Sequence, residues 1–184
     1  MTSDFQRRGA LALLAVPVAA SLVAPSPAAA AGEAAPSVSF DTWMRVNTLV
    51  QTYADCIDRV DFDGLEKIFT PDADYEYGLG LAAHGRTGIR EFLAPILARY
   101  TGTLTFMSTP NVTHGATPGT YKSWTSFMAD HNWKNGNHHS VYGRYVDEFQ
   151  PDKDTGALLI AHRRVVSQLS ENDPAPRYKL ERSG

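Results

Sequence analysis

A single cysteine, Cys56, stands in the 184 residues. That excludes an internal disulfide, a C-x-x-C redox pair and a cysteine-built zinc site, so packing has to stabilise the fold. The chain also lacks a phosphate-cradling glycine loop, a G-x-S-x-G elbow and any nucleotide-binding motif. Positive charge is short as well: 17 basic residues face 20 acidic ones, for a net charge of −3. A surface of that sign is a poor match for nucleic acid. No internal repeat is present. Long apolar runs are confined to the first thirty residues, where Pro17 and Pro25 interrupt a stretch already short for a membrane-spanning helix.

Those first residues have a charged start, an apolar centre and a small-residue end, the pattern of an export signal. Arg7-Arg8 followed by "GALALL" resembles a twin-arginine signal, and the alanines at 28–31 fit cleavage near Ala30 or Ala31. Residues 1–31 are therefore expected to be removed, leaving an exported protein without a stable membrane anchor. Their loss takes away Arg7, Arg8 and Asp4 and moves the net charge to −4. Residues 32–37 read as a linker, 38–170 as one domain and 171–184 as a flexible tail. A composition with 43% hydrophobic and 20% charged residues suits a packed domain.

Within 38–170 the hydrophobic period changes once. Trp43, Val46, Leu49, Val50, Tyr53, Ala54 and Ile57 recur at three- and four-residue spacing and predict a first helix. Asp61 is a plausible N-cap for a second, short helix that carries Leu65, Ile68 and Phe69 inward before Pro71 opens a loop. "DADYEYG" alternates as a strand. In "HGRTGIREFLAPIL" Thr87 is the expected N-cap of a third helix, with Pro95 kinking or ending it. From residue 103 the period is two: "TLTFMST", "TYKSWTSFMADHNW", "HHSVYGRYVDEF" and "ALLIAHRRVVSQL" predict four strands. Helices followed by strands imply an α+β domain, with a curved sheet wrapping the helices and a cavity at the open end.

Asp58 stands out on the first helix. Steps of four back from it reach Ala54 and Val50, an apolar row, whereas steps back from Asp55 reach Gln51 and Asn47. Asp58 is therefore expected to face inward. A carboxylate set against apolar walls loses hydration, which disfavours the anion and suits an acid or base working near neutral pH. The competing expectation is that Asp58 bonds backbone amides in the turn "DRVDFDG", or pairs with Arg59 or a later arginine. His131 shares a strand face with Tyr121, Phe127, Ala129 and Trp133, so it too is expected inside, either as a proton-transfer group or as a satisfied structural histidine. Tyr75, Tyr77 and Tyr142 could donate to an oxyanion, and Arg144 could hold an anionic group or the aspartate; aromatic packing is the alternative role for the tyrosines. Tyr53, Thr105 and Phe127 complete the substrate-binding candidates. His138 and His139 are adjacent and point to opposite strand faces, and His84 and His114 fall on expected loops, so no metal site and no cofactor are expected.

The succession "YADCIDRVDFDGLEKIFTPDADYEY", "GRTGIREFL", "GRYVDEF" and "AHRRVV" resembles the SnoaL-like family of the nuclear-transport-factor-2-like (NTF2-like) superfamily, over nearly the whole domain. The resemblance implies a cone-shaped α+β barrel: three N-terminal helices packed in a curved, mostly antiparallel sheet, with a deep pocket and a possible homodimer through the sheet. Relatives include scytalone dehydratase, ketosteroid isomerases and polyketide cyclases, while other members only bind ligands or play structural roles. Asp58 falls on the dehydratase family's helix-one catalytic aspartate, and His131 loosely on its second strand histidine. Two positions depart from the pattern: Ile57 stands where the dehydratase has tyrosine, and Thr105 where many relatives have histidine. The implied activity is cofactor-independent acid–base chemistry, of lyase, isomerase or cyclase type, on a small hydrophobic cyclic molecule such as a polyketide, steroid or aromatic compound. The alternative is an exported, non-catalytic small-molecule-binding or accessory protein.

Overall fold

The computed structural model describes residues 37–78 and 80–170. The expectations for an export segment at 1–31, for all but Ser37 of the linker and for a tail at 171–184 lie outside the described residues.

Helix α1 (Phe40–Arg59) starts at Ser39, whose side chain accepts from the Thr42 amide, and buries Val46, Val50, Tyr53, Ala54, Cys56 and Ile57. Five of these belong to the stripe that the three- and four-residue spacing predicts; Cys56 is added to it, and Trp43 and Leu49 are only partly buried. It ends on Val60, which holds a left-handed backbone at φ 57°. The Asp61 amide then reaches back to the Cys56 carbonyl at 2.8 Å, closing the helix end. Asp61 caps α2 (Phe62–Ile68) by accepting from the Gly64 amide.

Phe69 is not helical, as the sequence suggests, but opens strand β1 (Phe69–Tyr77). Pro71 does not begin a loop either. It lies where the pairing register shifts between Phe69 and Asp74, an irregularity that tolerates a residue without an amide donor. A short strand β2 (Leu81–His84) follows, and α3 (Gly85–Leu97) starts after His84 rather than at Thr87, with no side-chain cap. Gly85 makes that corner at φ 71°, a conformation for which glycine is suited. Pro95 sits inside α3, which continues to Leu97.

The remaining strands are β3 (Tyr100–Met107), β4 (Asn111–His114), β5 (Tyr121–Trp133), β6 (His138–Pro151) and β7 (Leu158–Ser170). His84 and His114 therefore close short strands instead of lying on loops. The sheet runs β2-β1-β7-β6-β5-β3, with β4 also on β5. Only β1 and β7 pair in parallel; the other pairs are antiparallel. The sheet curls around the helices, with the core between its concave face and α1 and α3. This is the expected α+β class. On the convex side Leu104, Phe106, Trp124 and Tyr142 remain exposed. No described helix is long and apolar enough to cross a membrane.

Candidate active site

Register puts the inward residues of the sheet into rows. Thr103, His131 and His139 lie directly across from one another on β3, β5 and β6. The next row is Thr105, Ala129 and Val141, and the next Met107, Phe127 and Gly143. Gly143 is required there, because a Cβ would come within 2.5 Å of the Val166 carbonyl and 2.7 Å of the Phe127 ring. Further along, Tyr77, Val165, Tyr145 and Thr125 form one row and Tyr75, Arg163, Asp147 and Ser123 another.

Residues of these rows, with α1 and α3, line a narrow cavity of about 50 Å³. Tyr53, Tyr75, Tyr77, Thr105, Phe127 and His131 all line it, so six of the nine sequence-derived candidates meet there. Tyr100 and Tyr145 line it too and were not anticipated. The cavity lining is thus aromatic and aliphatic, with few polar groups.

Asp58 stands behind this wall. It faces inward as the apolar row requires, but it is half-buried and not bare. One carboxylate oxygen accepts from the Thr105 amide at 2.7 Å; the other accepts from the Thr105 hydroxyl at 2.8 Å and the Thr103 hydroxyl at 3.4 Å. The expectation of a carboxylate set against apolar walls is corrected, because β3 supplies three polar donors. The competing expectation is corrected too: Arg59 pairs with Asp55 at 2.7 Å, and the turn is served by Asp61.

His131 is the titratable ring in the wall. Its Nδ1 lies 3.0 Å from the Thr103 hydroxyl, and the ring stacks on Tyr100 with centroids 4.3 Å apart and planes 8° from parallel. Burial lowers its pKa from the ordinary value, helped by His139; Asp58 and Asp130 pull the other way and His138 adds to the lowering. The ring is thus neutral near pH 7. Nε2 makes no hydrogen bond among the described residues.

The phenols behave oppositely. Burial raises the pKa of Tyr53, Tyr75, Tyr100 and Tyr145, those of Tyr75 and Tyr145 well above the ordinary value. They stay protonated, and the Tyr53 and Tyr75 hydroxyls touch at 2.7 Å. Such phenols can donate to a developing oxyanion.

Tyr142 and Arg144 are not part of this arrangement. Strand alternation puts Val141, Gly143 and Tyr145 inside, so Tyr142 and Arg144 fall on the convex face, where the Arg144 guanidinium lies 4.7 Å from the Trp124 ring. Arg144 therefore holds neither the aspartate nor a cavity anion. The buried cation is Arg163, which makes two 2.7 Å hydrogen bonds to Asp147, both side chains wholly buried. Burial opposes the charge on Arg163, but the Asp147 carboxylate outweighs it and raises the pKa above the ordinary value. The guanidinium also lies 3.9 Å from the Tyr53 ring and 4.5 Å from the Tyr145 ring. Among the described residues no group of three His, Cys, Asp or Glu side chains is placed to hold a metal.

A family model of the SnoaL-like domain matches residues 44–164. The chain belongs to the SnoaL-like family. Its cavity shows what the two departures mean in place: Ile57 and Thr105 both reach the lining, a methyl-bearing side chain and a hydroxyl where the resemblance puts tyrosine and histidine. A comparison with curated proteins finds no match. Among solved structures, a protein described as a scytalone dehydratase from Novosphingobium aromaticivorans is similar at TM-score 0.67 and 17% identity, covering 77% of this chain and 96% of that one. A hexachlorocyclohexane dehydrochlorinase from Novosphingobium barchaimii is similar at 0.63 and 13%, covering 71% and 88%. An NTF2-like superfamily protein from Salmonella enterica is similar at 0.64 and 15%, covering 75% and 98%. At these identities the likeness establishes the NTF2-like fold.

Proposed function

We propose that this SnoaL-like chain is a cofactor-independent acid–base enzyme of lyase, isomerase or cyclase type. Its substrate is a small hydrophobic cyclic molecule, such as a polyketide, steroid or aromatic compound, held in the cavity. His131 carries the reading: a neutral imidazole in the wall of an aromatic cavity, with Nδ1 at the Thr103 hydroxyl and Nε2 unbonded among the described residues. A neutral imidazole can take a proton from a carbon beside a carbonyl and return it elsewhere. In the Tyr53–Tyr75 pair one phenol donates to the other, and the proton of the second supplies a hydrogen bond to the enolate-like oxygen that forms, while the apolar walls keep water from quenching it. Dehydration and dehydrochlorination, the reactions in two structural neighbours' names, are eliminations, which take a proton from carbon as a leaving group departs from the next carbon. The test is hydrogen–deuterium exchange at acidic C–H positions of a panel of cyclic ketones and hydroxyaromatics in D₂O, followed by NMR. Exchange is expected to fall by a factor of about 10² or more in His131→Gln. Equal rates for wild type, His131→Gln and buffer across the panel overturn the reading.

A second reading, an exported non-catalytic small-molecule binder, is favoured by one observation. Asp58 has both oxygens engaged by β3 hydroxyls and an amide, and it does not line the cavity. It predicts ligands that raise the melting temperature of the protein without undergoing exchange.

A further inference from the structure

The contact between Asp58 and His131 is not direct. It passes through one hydroxyl, that of Thr103, which lies 3.4 Å from an Asp58 oxygen and 3.0 Å from His131 Nδ1. A threonine hydroxyl carries a single proton and two lone pairs, whereas an ionised carboxylate can only accept. If Thr103 gives its proton to His131, the hydroxyl and carboxylate oxygens face each other with no hydrogen between them. If it gives the proton to Asp58, its lone pair is free to accept from a protonated Nδ1. Only the second arrangement makes both contacts favourable.

We infer that Thr103 is a positioning residue: its hydroxyl passes the charge of Asp58 to His131 and fixes the imidazole as the Nδ1–H tautomer, so that Nε2 is the atom offered to a substrate. The inference rests on His131 being the acid–base group.

Three further observations fit it. Thr103 and His131 are direct cross-strand partners, so their separation is set by the β3–β5 ladder and not by a flexible loop. The ring is held flat against Tyr100, with His139 on the neighbouring strand at 6.5 Å, which limits rotation that would turn Nδ1 away from Thr103. Thr105, two residues on, already gives Asp58 an amide and a hydroxyl proton. Those bonds hold the carboxylate still while Thr103 uses its remaining acceptor site. In this arrangement the threonines of β3 replace a histidine contact with a relay, which explains how Asp58 can matter although it does not line the cavity.

The effect of the tautomer is specific. Free imidazole exchanges freely between its two neutral forms, and a base whose lone pair is on the wrong nitrogen faces Thr103 and cannot reach a substrate. Fixing one form removes that idle population, and it also gives the imidazolium formed after proton transfer a path to the carboxylate.

The test reads the ring nitrogens and needs no substrate. In the full chain, a ¹⁵N–¹H multiple-bond spectrum near pH 8 shows six histidine rings, and His131→Gln identifies the one that belongs to His131. Wild type is expected to show a protonated Nδ1 and a pyridine-type Nε2. Thr103→Ser, which keeps the hydroxyl, is expected to retain this pattern. Thr103→Val, isosteric but without the hydroxyl, is expected to lower the ratio of Nδ1–H to Nε2–H by about tenfold. A wild-type ring protonated on Nε2, or a ratio that Thr103→Val leaves unchanged, overturns the inference. The wild-type spectrum alone decides the first of these, whatever the stability of the variants. Proton exchange into substrates bears on the proposed function, and the ring tautomer bears on Thr103, so the two can fail separately.

Discussion

Two acidic groups lie inside this sheet, and the sheet treats them differently. Asp147 is wholly buried, and its bidentate partner Arg163 returns a full opposite charge. Asp58 is half-buried and meets only neutral donors, so its charge is spread over an amide and two hydroxyls and remains felt at His131. A sealed ion pair has nothing left to give to a ligand. A carboxylate answered by hydroxyls keeps a net charge that a neighbouring imidazole can use. The difference separates a charge sealed into the sheet by a counter-ion from one that neutral donors leave in reach of a neighbouring ring.

The largest expected effect tests the sealed pair. Asp147→Asn leaves Arg163 charged and unanswered, and denaturant unfolding is expected to show a loss of about 3–5 kcal/mol. Replacing both partners, Asp147→Leu with Arg163→Met, is expected to recover most of that loss. A mild effect of the single change would place Asp147 in the same class as Asp58 and dissolve the comparison. Asp58→Asn comes next, at about 1–3 kcal/mol, because one of three donors then meets an amide N–H.

His131 gives a smaller effect with a distinctive pH dependence. Its folded pKa is depressed, so the unfolded chain binds the proton more readily. No penalty exists above the unfolded value of about 6.5; below it, wild type loses stability until pH reaches the folded pKa. His131→Gln lacks this term, so its stability relative to wild type is expected to rise as pH falls from 7.5 to 5.5. Val60→Gly is the smallest. Val60 is about half exposed and left-handed two residues beyond Asp58, and glycine there is expected to stabilise by about 0.5–1 kcal/mol in thermal unfolding. If that change also shifts the His131 ring signals, helix-end strain is coupled to the site.

The sequence makes α1 and the four long strands legible because their periods are long and regular. It hides β2 and β4, each four residues long and recognisable only by their pairing. Asp58 is legible as an inward residue from its own helix, but its partners lie 45 and 47 residues away and are threonines, which carry no pattern of their own. The alternation that placed His131 also placed Asp147 with Tyr145 and Phe149 on the inner face of β6. That signal was available, but it requires a charged residue to be read as core. Tyr142 and Arg144 drew attention for their chemistry, and the same alternation puts them outside.

The position of β7 bears on how the protein is made. It is the last of the seven described strands in chain order, yet it lies between β1 and β6 and supplies Arg163. Until it emerges from the ribosome, the tyrosine-bearing β1 has no partner on that side, and Asp147 waits without its counter-ion. Folding therefore depends on contacts far apart in the chain, which slows it and exposes two strand edges meanwhile. A nascent chain lacking only this strand is expected to be the form that chaperones and proteases recognise.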